Sequence, residues 1–139
     1  MKLTKKTLLY EISNMAYLIA DTGDDSIHGL HRVRDICEEG NIDRVNQVLS
    51  LAQAIAKDVL SPLRNMPKTL KDRIRETVRE FMICMVLADW LGVTYPEAAE
   101  VWRRRWEKAL ESLKQIASEY ASSAALSESC AFTRRLSPF

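Results

Sequence analysis

The 139-residue sequence has the length of one domain, contains 47% hydrophobic and 28% charged residues, and carries a formal net charge of +1, all ordinary values for a globular protein. Four Gly and four Pro in the whole chain are too few for an all-β sandwich or barrel, which needs a turn about every 8–12 residues. The net charge provides no overall field that would attract nucleic acid or a membrane. The composition therefore excludes a β-rich fold and a disordered chain.

The cysteine pattern and the N-terminal pattern indicate a compartment of the cytoplasmic type. Cys37, Cys84 and Cys130 are odd in number and form no C-x-x-C pair, which argues against a disulfide framework or a zinc site. Glu11 interrupts any signal-peptide core. The longest apolar run, residues 81–88, is far shorter than the roughly 20 residues that cross a bilayer.

Apolar residues at steps of three and four predict helices between the Gly and Pro residues. The first two predicted helices cover residues 4–20 and 27–38, and Gly40 is placed to end the second. The third predicted helix covers 42–61, where Asn41 is suited to cap its start. These three helices should pack their apolar stripes on the rest of the chain.

The fourth and fifth predicted helices, over 68–91 and 95–121, form an antiparallel hairpin at the centre of a bundle. The fourth becomes apolar on every side over 82–88, so it must be covered on every side, either by the bundle or partly by a second subunit. Gly92 should end this helix, and a capping box of Thr94 with Glu97 should start the next.

From Ser122 onward the sequence is rich in Ser and Ala and loses its helical periodicity. We therefore predict an all-α domain of about five helices over 1–121, followed by an extended, flexible C-terminal tail over 122–139.

Few residues suggest catalysis or cofactor binding. His28 and His31 stand one turn apart but have no third strong ligand at a recognisable spacing, so an exposed pair is favoured over a metal site. Asp89 follows the most apolar stretch, where a charge is costly unless it is paired. An acid with a perturbed pKa is one interpretation, but a position at the bundle edge or a pair with an arginine such as Arg103 or Arg104 is favoured. With no nucleophile elbow and no glycine-rich phosphate loop, we expect a protein that is not an enzyme and holds no cofactor or metal.

An alternative interpretation concerns residues 87–105, where an apolar helix, a Leu-Gly-Val turn and a helix containing Arg103, Arg104 and Arg105 resemble a helix-turn-helix. In that hypothesis the protein is a DNA-binding regulator. Glu97 and Glu100 would repel phosphates at the start of the second helix, and the tryptophans belong to a core stripe. Nucleic acid is therefore the less favoured partner.

The hairpin sequence is similar to small structural proteins of tailed phages and Mu-like prophages, the head–tail connector or completion (neck) proteins. The similarity covers roughly residues 65–120 and the C-terminal segment, and it is a pattern of helix lengths and aromatic positions. The residues that carry it are VLADWL at 86–91, YPEAA at 95–99, Trp102, LKQI at 113–116 and RRLSPF at 134–139.

This resemblance implies a non-enzymatic subunit that joins portal or adaptor proteins to the tail and assembles as a ring. Its partners would be other phage structural proteins and copies of itself, without a membrane, in the bacterial cytoplasm during assembly and then in the virion. A C-terminal segment that becomes ordered on a neighbour would supply the contacts. The candidate partner-binding residues are Phe132, Arg134, Arg135, Leu136 and Phe139, with Arg103, Arg104 and Arg105 on the bundle.

Overall fold

The computed structural model describes the backbone of residues 3–22 and 30–136, and the side chains of residues 3–22 and 31–122. These residues form four α-helices, one 3₁₀ helix and no strand, which confirms the predicted all-α bundle of five helices. The elements are α1 (Lys5–Thr22), a 3₁₀ helix (Leu30–Cys37), α2 (Ile42–Leu60), α3 (Lys68–Thr94) and α4 (Pro96–Leu136).

The predicted antiparallel hairpin is confirmed as the centre of the fold. The rings of Phe81 in α3 and Trp106 in α4 lie 6.0 Å apart, and at the far end the Tyr120 hydroxyl donates to the Asn65 carbonyl at 3.2 Å. α3 contacts every other helix, so its apolar stretch over 82–88 is covered by the chain itself. No helix in the described part of the chain is both long and apolar enough to cross a membrane.

The junction between α3 and α4 differs from the prediction. α3 continues through Gly92 and ends at Thr94, and only Tyr95 separates it from α4. Thr94 is 1% exposed, and its hydroxyl donates to the carbonyl oxygen of Trp90 at 3.0 Å. The predicted capping box is therefore wrong, because the Thr94 hydroxyl is already bonded one turn back within α3.

The segment before α2 also departs in part from the prediction. Gly40 has a φ of +93°, so it ends the preceding helix as expected, in a conformation that favours glycine. Asn41 stands at the N-cap position of α2 but makes no side-chain cap. Its Nδ2 instead donates to the Asp35 carbonyl at 2.8 Å, which stabilises the turn rather than the helix start.

The second predicted helix is a 3₁₀ helix rather than an α-helix. Val33 and Ile36 are three residues apart, and a helix with three residues per turn aligns such positions on one face. Both side chains are fully buried. The indole nitrogen of Trp90 donates to the Val33 carbonyl at 2.9 Å, so α3 holds this short helix in place.

The C-terminal region corrects the predicted extended tail. α4 continues to Leu136, so residues 122–136 are helical, and residues 137–139 lie outside the described range. Residues 97–136 contain no Gly or Pro, and alanine is the best helix former. Loss of apolar periodicity removes a reason to pack against the bundle, but it does not end a helix.

Candidate interaction surface

The basic run at residues 103–105 is exposed on α4, but much of its charge is paired within the same helix. Arg103 makes two hydrogen bonds to the Glu100 carboxylate, at 2.6 and 2.9 Å, and approaches Glu107 at 3.4 Å. Arg104 lies 3.3 Å from Glu100. The hydrogen bond from Arg103 holds the pKa of Glu100 below its ordinary value, so this carboxylate is a stable counter-charge.

Arg105, the third arginine of the run, lies over the ring of Trp102 with its guanidinium carbon 4.5 Å from the ring centroid, a cation–π arrangement. A helix-turn-helix joins its helices at roughly 90–120° through a turn of about three to four residues. Here Tyr95 alone joins two antiparallel helices. No observation on the described residues favours the DNA-binding hypothesis, which stays a prediction.

The candidate partner-binding residues of the C-terminal segment belong to α4 or lie beyond it. Phe132, Arg134, Arg135 and Leu136 are within the helix, but their side chains are outside the described set, as is Phe139 altogether. The structure therefore places their backbone on a helix instead of an extended tail, and their role in binding stays a prediction.

The two histidines do not form a described site. His28 lies outside the described residues, and His31 is exposed at the start of the 3₁₀ helix. Within residues 3–22 and the described side chains from 31 to 122, no three His, Cys, Asp or Glu side chains come together as metal ligands would.

Asp89 faces the bundle edge, as predicted, but its partner differs from the expected arginines. Its carboxylate accepts two hydrogen bonds from Arg44 of α2, at 2.7 Å from Nε and 3.1 Å from Nη2. Arg103 and Arg104 are engaged with Glu100 instead. The hydrogen bond with Asp89 raises the pKa of the Arg44 guanidinium. Because Arg44 belongs to α2 and Asp89 to α3, this ion pair links the two helices.

We expect the Arg44–Asp89 pair to contribute about 0.3–1 kcal/mol, because the two side chains are 50% and 34% exposed and water screens the attraction. A double-mutant cycle with Arg44→Ala and Asp89→Ala, followed by urea denaturation, measures this coupling. The matched control is the Asp72–Arg75 pair, 3.4 Å apart within α3, which should couple more weakly. A coupling above about 2 kcal/mol would contradict this assignment.

Cys84 is buried in the bundle core on α3 and is a poor nucleophile. Burial, followed by the negative charge of Glu80, raises the pKa of its thiol to about 11. Because the pKa is raised, the thiol is protonated at neutral pH, and only about one molecule in a thousand carries the thiolate at pH 8.

Iodoacetamide should therefore alkylate Cys84 at pH 8 more than about a hundredfold more slowly in the folded protein than in about 6 M guanidinium. Peptide mass spectrometry of the fragment that contains Cys84 measures both rates and separates it from the other two cysteines. Similar rates in the two conditions would show that Cys84 is accessible to solvent in the folded protein, which would contradict its burial in the hairpin.

One exposed apolar feature of the described residues is a groove between α1 and α4, which we call the α1/α4 groove. Leu18 of α1 and Val101 of α4 line it and are 56% and 54% exposed. Trp102 and Arg105 lie beside Val101 in the same wall. The groove has a volume of about 420 Å³, and its remaining lining is Met15, Ile19, Thr22, Tyr95 and Ala98.

Sequence reasoning missed this groove, although a signal was present. Leu18 and Val101 fall beside the apolar stripes of their helices, not on them, and apolar residues next to a stripe widen the face that needs covering. What the sequence could not supply is that α1 and α4 lie on either side of one groove.

Comparison of the chain with protein-family models, with curated proteins and with solved structures gave no match. The functional assignment therefore depends on the geometry of the described residues and on the resemblance of the hairpin sequence.

Proposed function

We propose that this protein is a phage or prophage structural subunit, of the head–tail connector or completion type, that acts through protein–protein contacts. The observation that carries the proposal is the α1/α4 groove, where Leu18 and Val101 are both more than half exposed on facing walls. The class of the partner comes from the resemblance of residues 86–91 and 95–99, which lie at the closed end of the hairpin.

The chemistry of the α1/α4 groove suits a protein partner. Covering a large aliphatic side chain that is exposed to water is worth about 1.5–3 kcal/mol when burial is complete, and facing apolar residues can be covered together. Arg105 is exposed beside the groove and supplies a guanidinium, a group that is enriched in protein interfaces. A neighbouring subunit that inserts apolar side chains here would bury Leu18 and Val101 in one step.

The rest of the bundle suits a structural subunit. The hairpin core is closed by Phe81, Leu87, Leu91 and Leu113, which are all fully buried. Such a core fixes α4, one wall of the groove, against α3. The other wall, α1, packs on α3 and on the 3₁₀ helix. A preformed surface loses little conformational entropy on assembly, which supports stable contacts between subunits.

The test is co-expression of the tagged chain with the portal and tail proteins encoded beside its own gene, followed by purification and negative-stain electron microscopy. We expect a ring-shaped complex that Leu18→Lys and Val101→Lys each abolish, because among the described residues the groove is lined by Arg105 and by no carboxylate, so a buried ammonium group has no partner there. Tyr10→Lys is the matched control, since Tyr10 is 68% exposed on α1 and does not line the groove.

Two further measurements separate the alternatives. Deletion of residues 126–139 should abolish the complex without lowering the melting temperature if the C-terminal segment also binds the neighbour. Failure of every encoded neighbour to bind would contradict the connector proposal. Salt-sensitive binding to duplex DNA that disappears when Arg103, Arg104 and Arg105 become alanine would instead favour the regulator.

A further inference from the structure

A second groove lies between α1 and α2, which both pack on α3 but whose backbones do not approach each other closely. We call it the α1/α2 groove. Its volume is about 310 Å³, at the lower end of the roughly 300–1,000 Å³ typical of ligand sites. Its lining on α2 runs from Asn46 to Leu60, about 21 Å at about 1.5 Å per residue. The apolar floor consists of Leu8, Leu49, Ala56, Val78 and Met82.

The charged residues of the α1/α2 groove are all cationic. Lys5, in the first turn of α1, and Lys57, in the last turn of α2, both line it, and no Asp or Glu does. Neither ammonium group has an ion-pair partner within the described part of the chain. Two cations beside an apolar floor favour an anion that carries an apolar body.

Asn46 lies at the other end of the α2 lining of this groove. Its side-chain oxygen is buried and has no hydrogen-bond partner among the described residues. Buried polar atoms are nearly always paired. Among the described residues, this end of the groove therefore contains a polar atom that is left unsatisfied.

We propose that the α1/α2 groove binds an anionic amphiphile with a linear alkyl chain, such as a medium-chain or long-chain carboxylate. A volume of about 310 Å³ spread over this length is narrow and suits one extended alkyl chain. The alkyl chain lies on the floor, and the carboxylate is bound by Lys5 and Lys57. The site is at the opposite end of α1 from Leu18, so it goes beyond the proposed assembly function and does not depend on it.

The experiment is a titration of the full chain with octanoate, decanoate and dodecanoate below their micelle concentrations, followed by calorimetry and by ¹H–¹⁵N spectra. We expect saturable one-to-one binding, with the largest shifts at α1, α2 and the part of α3 near Val78 and Met82. Each added methylene group should raise the affinity about fourfold, which is the fold-change that corresponds to about 0.8 kcal/mol per buried methylene. Dodecyltrimethylammonium, with the same chain and a cationic head, should bind at least about tenfold more weakly than dodecanoate.

Two variants with matched controls test the location. Ser50→Phe places a ring at the exposed edge of the groove and should remove binding, whereas Gln47→Phe, on an exposed part of α2 outside the groove, should not. Lys57→Glu should weaken dodecanoate binding about fivefold or more, whereas Lys71→Glu on α3 should leave it unchanged. Circular dichroism confirms that each variant is folded. Equal affinity for the anionic and cationic amphiphiles, absence of saturation, or full binding by Ser50→Phe would overturn the proposal.

Discussion

Replacing Phe81 with alanine is expected to lower the free energy of unfolding by about 3–5 kcal/mol. The side chain is 0% exposed and packs against Trp106 at a ring separation of 6.0 Å, in the middle of the hairpin. Truncation leaves a cavity that the two helices cannot close without shifting the other layers of the core. Since small domains unfold at a total cost of about 5–15 kcal/mol, this one change removes a large share of the stability.

Urea denaturation followed by circular dichroism measures the effect of Phe81→Ala. Tyr10→Ala is the control, because it removes an aromatic ring that is 68% exposed and should change the stability by less than about 0.5 kcal/mol. Phe81→Leu should cost less than the alanine variant, since it keeps most of the apolar volume. Equal stabilities of Phe81→Ala and Tyr10→Ala would contradict the position of Phe81 in the core.

Replacing Trp90 with phenylalanine is expected to cost about 1–3 kcal/mol, because it removes the donor to the buried carbonyl oxygen of Val33. The bond is 2.9 Å long and joins α3 to the 3₁₀ helix. The loss should be concentrated in that helix, so amide hydrogen exchange should accelerate at residues 33–37 more than in α4.

Trp102→Phe is the matched control for Trp90→Phe. Trp102 is equally buried, but its indole nitrogen makes no hydrogen bond among the described side chains. Hydrogen exchange and urea denaturation of both variants separate the loss of ring volume from the loss of the donor. If the two variants lose the same stability and residues 33–37 keep their protection, the Trp90 bond does not hold the 3₁₀ helix.

Local sequence signals predict most of the helical architecture. The stripe of α2 and the break between the helices predicted over 42–61 and 68–91, where Pro62 and Pro67 stand, are visible because apolar spacing and proline act within a few residues. The same signals fail where a local preference meets a competing bond. The local pattern makes Thr94 a cap for α4, but its hydroxyl bonds back to Trp90. The Ser- and Ala-rich segment after Ser122 continues α4 because nothing in it breaks a helix.

The candidate sites are much less predictable. Asp89 is recognisable as a carboxylate that needs a partner, but its partner Arg44 is 45 residues away and belongs to another helix. The α1/α4 groove requires Leu18 and Val101 to face each other, which their separate helical patterns do not indicate. The α1/α2 groove exists because α1 and α2 pack on α3 without close approach of their backbones, a gap that no local pattern encodes.

The low content of Gly and Pro, together with apolar periodicity, therefore determined by itself that this protein is an all-α bundle with a long central hairpin. Only the tertiary structure decided which charges pair, which apolar residues stay exposed and where grooves remain. The physical reason is the sequence distance between the residues that interact. Helix formation depends on residues three and four positions apart, whereas ion pairs between helices and grooves depend on helices that meet only after folding.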